Sequence, residues 1–102
     1  MDYETSFKNQ LAEGFAEKKL ATTSIKMYLR NLEKLNDDMP LKNLNFLKDV
    51  SAIEQRLAKY KENTKRGYLI SIVSALSLDK SNKQKQKLYD DYYKLMMDRI
   101  RN

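Results

Sequence analysis

Six residues within positions 59–66, namely Lys59, Lys61, Asn63, Thr64, Lys65 and Arg66, combine four cations with two side chains that favour helix starts. The chemistry such a group suits is phosphate binding. A helix start exposes free backbone N–H groups and the positive end of the helix dipole. Cations placed there cost the helix a few tenths to about 1 kcal/mol. That cost is relieved when an anion docks and is held by amides, dipole and side chains together. Lys26 and Arg30 stand in the same relation to a second helix start at Thr22, Thr23 and Ser24, with Lys18 and Lys19 leading into it. The candidate anion-binding set is therefore Lys26, Arg30, Lys59, Lys61, Thr64, Lys65 and Arg66. A further basic group, Lys80, Lys83, Lys85 and Lys87, interleaves with Ser, Asn and Gln. It reads either as a strap that follows a nucleic-acid backbone or as a solvated linker over residues 80–87.

Other chemistries are harder to support. The 102 residues contain no Cys and no His, which removes disulfides, thiolate zinc sites, cysteine nucleophiles and the commonest proton shuttle. Asp37 with Asp38 and Asp90 with Asp91 are adjacent carboxylates, but neither pair has a flanking ligand set. No glycine-rich phosphate loop is present. The expectation is a chain with no catalytic residues, no metal and no cofactor. Twenty Lys and Arg against fourteen Asp and Glu give a net charge of +6, which favours polyanionic partners without specifying one. No segment approaches the roughly 20 apolar residues of a membrane span, and nothing near Met1 resembles a signal peptide. The predicted location is inside a cell, in the cytoplasm or nucleoid or in a host cell if the source is viral.

The elements that position these residues read as helices. Two Gly and one Pro leave little punctuation, and alternation of the strand kind is hard to find. A first helix is predicted over residues 5–20, with Phe7, Leu11 and Phe15 on one face. A second starts at the Thr22, Thr23, Ser24 caps and carries Ile25, Tyr28, Leu29, Leu32 and Leu35. Asn36, Asp37 and Asp38 before Met39 and Pro40 end it. Leu41, Leu44 and Leu47 fit either an extended connection or a short helical turn. A third helix of about ten residues is predicted from a cap at Ser51, with Glu54 completing a capping box. The fourth opens at Asn63 and Thr64, is apolar nearly all round, and is the predicted central helix. The fifth follows the lysine-rich stretch. Tyr28, Tyr60, Tyr68 and Tyr92 fall on apolar faces and read as core, whereas Tyr89 or Tyr93 reads as exposed. Residues 1–102 suit a single domain, since one core organises about 100–150 residues.

The second and fourth helices echo each other, as Ser24-Ile25-Lys26-Met27-Tyr28-Leu29 and Thr64-Lys65-Arg66-Gly67-Tyr68-Leu69. In this order, a helix leading into Thr23-Ser24-Ile25-Lys26-Met27-Tyr28-Leu29-Arg30-Asn31-Leu32, a spacer, a short helix, then Asn63-Thr64-Lys65-Arg66-Gly67-Tyr68-Leu69, the chain resembles the N-terminal core-binding domain of tyrosine recombinases, the phage-integrase type of enzyme. The resemblance covers residues 7–78. It implies an all-α, SAM-like bundle of four to five short helices that forms half of a C-shaped clamp on double-stranded DNA. It also implies that Lys26, Arg30, Lys65 and Arg66 face phosphates, in a viral or mobile-element protein of DNA integration. Cleavage in that family belongs to a following domain with an Arg, Lys and His set and a nucleophilic Tyr, so no tyrosine here is assigned as a nucleophile. Gly67 departs from the pattern. The alternative is a protein-interaction or homo-oligomer module whose fifth helix docks Leu88, Tyr92, Leu95 and Met96 on a partner.

Overall fold

Apolar residues three and four apart share a helix face, and burying that face is what makes a short helix stable. The computed structural model describes residues 3–39, 41, 43–78 and 83–101. Among them are α1 (Tyr3–Glu17), α2 (Thr22–Leu35), α3 (Val50–Leu57), α4 (Glu62–Leu76) and α5 (Lys83–Arg101), with a 3-10 turn at Asn45–Leu47 and no strand. The all-α expectation and the order of five helices hold. The short connection is the 3-10 turn, with Leu41 and Leu47 buried on either side of Leu44.

Helix ends differ from the sequence reading, each for a local reason. α1 stops at Glu17 because Lys19 turns left-handed at φ 64. The amide of Lys19 then donates to the Ala16 carbonyl at 2.9 Å and that of Leu20 to Phe15 at 3.3 Å, the pairing that closes a helix at its C-terminus. α2 closes the same way through Asp37 and Asp38, at φ 58 and 60, with the Asp38 amide donating to the Glu33 carbonyl at 2.8 Å. The end is thus built by the aspartates; Pro40 lies outside the described residues.

The helix starts are also displaced. Ala21 and Lys61 take the extended cap conformation, and neither side chain makes a capping bond. Thr22, Thr23 and Ser24 in α2, and Asn63 and Thr64 in α4, therefore sit inside the first turn rather than capping it. α3 is capped by Asp49, whose carboxylate accepts from the Ala52 amide at 3.1 Å, so the predicted Ser51 and Glu54 box is corrected by two positions. α5 begins at Lys83 and absorbs Lys83, Lys85 and Lys87, which corrects the proposed linker over residues 80–87; Lys80 lies outside the described residues. Lys and Gln are good helix formers. The i, i+4 contacts of Gln86 with Asp90 and Lys87 with Asp91, each 3.0 Å, support these turns.

α1 packs on α2 through a connection at residues 18–21, and a connection of the same length at residues 58–61, forty positions on, joins α3 to α4. The second helices of these two segments, α2 and α4, pack against each other. Asn31 of α2 bonds Ser71 of α4 at 3.0 Å, and these residues are themselves forty apart. Lys18, before α2, bonds Ser77, just past α4. Asp37, just past α2, pairs with Arg56 at the end of α3. α2 and α4 therefore run in opposite senses, related by an approximate two-fold axis near Asn31 and Ser71. α4 touches α1, α2 and α5 and buries Tyr68, Leu69, Ser71, Ile72, Val73, Ala75 and Leu76, which makes it the central helix as predicted. The radius of gyration of 13.1 Å is that of a compact chain of this length.

Candidate functional site

The start of α4 is less uncompensated than the sequence reading had it. Glu62 occupies the first turn, where a carboxylate suits the helix dipole. Its Oε1 lies 3.2 Å from the Lys65 Nζ, and the Lys65 side chain is only 14% exposed. Lys65 is thus held by its own helix, and the picture of cations crowding an unrelieved dipole is corrected at this position. Lys61 is the cap residue itself, Thr64 is exposed in the first turn, and Lys59 lies over the Tyr60 ring at 5.5 Å. Arg66 is exposed.

α2 presents a cleaner cationic stripe. Its apolar face, Leu29, Leu32 and Leu35, is buried, which turns Lys26, Arg30 and Lys34 outward at successive i, i+4 positions. Lys34 was missed in the sequence reading, although the spacing that selects Lys26 and Arg30 also selects it. Met27 lies between them with 53% of its surface exposed. Among the described residues, Lys26, Arg30, Lys34 and Arg66 enter no ion pair, whereas Lys8 is bridged to Glu33, Arg56 to Asp37 and Lys87 to Asp91. An unpaired, exposed cation keeps its full charge available to an incoming anion.

The α2 and α4 crossing holds this face together. Asn31 Nδ2 donates to Ser71 Oγ, and Ser71 Oγ donates to the Gly67 carbonyl, both at 3.0 Å. Ser71 is fully buried, so this relay satisfies a polar group that would otherwise destabilise the interior. Tyr68 packs against Tyr60 with ring centroids 5.0 Å apart. Burial and the Tyr60 hydroxyl push the Tyr68 phenol up to about 12, while the Arg30 charge acts in the opposite direction. Arg30 on α2 and Gly67 with Arg66 on α4 therefore flank one crossing. The two helix starts themselves lie at opposite ends of the pair, about 20 Å apart for a helix of this length, so they act at separate points.

The remaining candidates are distributed differently. Lys83, Lys85 and Lys87 lie along the first turns of α5, and Lys87 is engaged with Asp91. The proposed partner face turns inward. Tyr92 has no exposed surface and its hydroxyl donates to the Leu47 carbonyl at 2.7 Å, while Leu88, Leu95 and Met96 pack against the core. The same spacing describes a docking face and a core face, and here α5 spends it on the core. Tyr93 is 42% exposed and stacks on the half-buried Tyr89 at 5.8 Å. Asp37, Asp90 and Asp91 all have side-chain partners. No group of three or more His, Cys, Asp or Glu among the described residues is placed to hold a metal ion, and no helix there is long and apolar enough to cross a membrane. A mainly apolar groove of about 450 Å³ lies between α1, residues 43–48 and the facing ends of α4 and α5. It includes no residue of α2 and so stands apart from the cationic face. Comparisons with protein-family models, curated proteins and solved structures find no match.

Proposed function

We propose that this chain is a noncatalytic DNA-binding domain of the tyrosine-recombinase core-binding, SAM-like kind, which grips duplex DNA mainly through its phosphates. The observation that carries the reading is the exposed face on which Lys26, Arg30, Lys34 and Arg66 stand without carboxylate partners. A duplex carries one negative charge per ~1.7 Å of axis, so a rigid face with several free cations neutralises several phosphates at once. Burial of α4 and the Asn31 to Ser71 bond keep that face preorganised, which lowers the ordering cost of binding. Backbone contacts of this type position a protein on DNA without reading its sequence, and the domain alone binds with little sequence preference.

The test is fluorescence anisotropy with a short labelled duplex. Combined Arg30→Glu and Arg66→Glu substitution weakens binding at least about tenfold, or about 1.4 kcal/mol, with the helical circular dichroism unchanged. Lys94→Glu, at an exposed cation of α5 that belongs to none of the candidate sets, serves as the control and binds as the unaltered chain does. Equal affinity for the double variant and the unaltered chain sinks the proposal.

A further inference from the structure

Gly67 sits in the second turn of α4, a place where glycine destabilises a helix relative to alanine. Two internal reasons can keep a glycine in such a position, and neither applies. Its backbone is not left-handed, so no conformational freedom is required of it. A Cβ built there meets no atom within 4 Å, so no neighbouring element needs the room. Gly14 gives the contrast, because a Cβ there would come within 2.8 Å of the Leu78 side chain. Ser71 even turns its hydroxyl back onto the Gly67 carbonyl at 3.0 Å, tying the glycine into the crossing with Asn31. The open space beside Gly67 adjoins Arg66 on its own helix and lies across the crossing from Arg30, both exposed and unpaired.

We propose that Gly67 is the point of closest approach between α4 and a bound sugar-phosphate backbone, its missing side chain leaving the room that lets Arg30 and Arg66 reach phosphates on either side. This rests on the DNA-binding reading above. Charge selects the occupant. The exposed positions on the two helices beside the glycine carry Arg30, Lys34 and Arg66, and of the nearby carboxylates Glu62 lies 3.2 Å from Lys65 and Asp38 acts on the Tyr68 phenol, so cations outnumber carboxylates there. A polyanion's backbone is the partner that gains from a close approach there.

The experiment uses the chain itself, with Gly67→Ala and Gly67→Leu, measuring the thermal midpoint and the affinity for a short duplex. The alanine variant melts higher by about 2–8 °C, as expected when a helix glycine with no internal role is replaced. It binds the duplex at least about threefold more weakly, and the leucine variant at least about tenfold more weakly, with its fold retained. Unchanged affinity in both variants, while the unaltered chain binds, overturns the inference and leaves the DNA-binding reading intact. A lowered melting point for the alanine variant also overturns it, because the glycine would then have an internal purpose. No binding by the unaltered chain removes both.

Discussion

Tyr92 has the spacing of an outward docking face, yet its hydroxyl donates to the Leu47 carbonyl from a position with no exposed surface. Replacing it with Phe removes the donor and leaves that carbonyl unpaired, at a cost of about 1–3 kcal/mol. Urea unfolding of Tyr92→Phe is expected to show that loss with duplex affinity unchanged. Tyr68 and Tyr92 also set an alkaline limit. Burial raises both phenols above the ordinary tyrosine value, Tyr68 to about 12 and Tyr92 further. Their contribution to stability is complete below pH about 10, where the unfolded phenols are still neutral. It is lost as pH rises through 12, because the unfolded chain releases these protons first. The thermal midpoint should fall over that window, and Tyr68→Phe should make the fall shallower. At the acid end Arg56 holds Asp37 below the usual carboxylate range, first by direct hydrogen bonding. That contribution is present above the ordinary carboxylate value and is lost as the pH falls below it.

At the scale of elements, the apolar period places the outer helices because each buries one stripe, and the nearly continuous apolar run of α4 places the central one; both patterns are written locally in the sequence. Leu29, Leu32 and Leu35 are an instance, all three buried. Helix ends are less legible because they depend on backbone conformations that residue type does not announce. Lys19, Asp37 and Asp38 adopt left-handed conformations usually left to glycine, and Ala21 and Lys61 cap helices without a side-chain acceptor. α3 separates the two possible caps by experiment. Asp49→Ala removes the bond to the Ala52 amide and should destabilise the chain by about 1 kcal/mol. Ser51→Ala, at the second residue of the helix and exposed, should stay within about 0.5 kcal/mol. Chemical denaturation of the two variants measures both values.

For the whole molecule, the helix–connection–helix spacing repeats at forty positions, and α2 and α4 cross in opposite senses about Asn31 and Ser71. The echo between residues 24–29 and 64–69 is visible in the sequence. The direction of crossing is not, since it is fixed by contacts between distant segments such as Lys18 with Ser77 and Asp37 with Arg56. The candidate cations divide along the same line. Exposure of Lys26, Arg30 and Arg66 follows from local periodicity, and Lys34 follows by the same rule. The pairing of Lys65 with Glu62 at i, i+3 is also local and follows from the helical spacing alone. The joint placement of Arg30 and Gly67 needed the fold.

The salt dependence of duplex binding tests the account most directly. If the face formed by Lys26, Arg30, Lys34 and Arg66 neutralises about four phosphates, the plot of log affinity against log salt concentration falls with a slope of about −4. A slope shallower than about −1 means that no such set of phosphates is engaged, and it contradicts the proposal that this chain is a backbone-gripping DNA-binding domain.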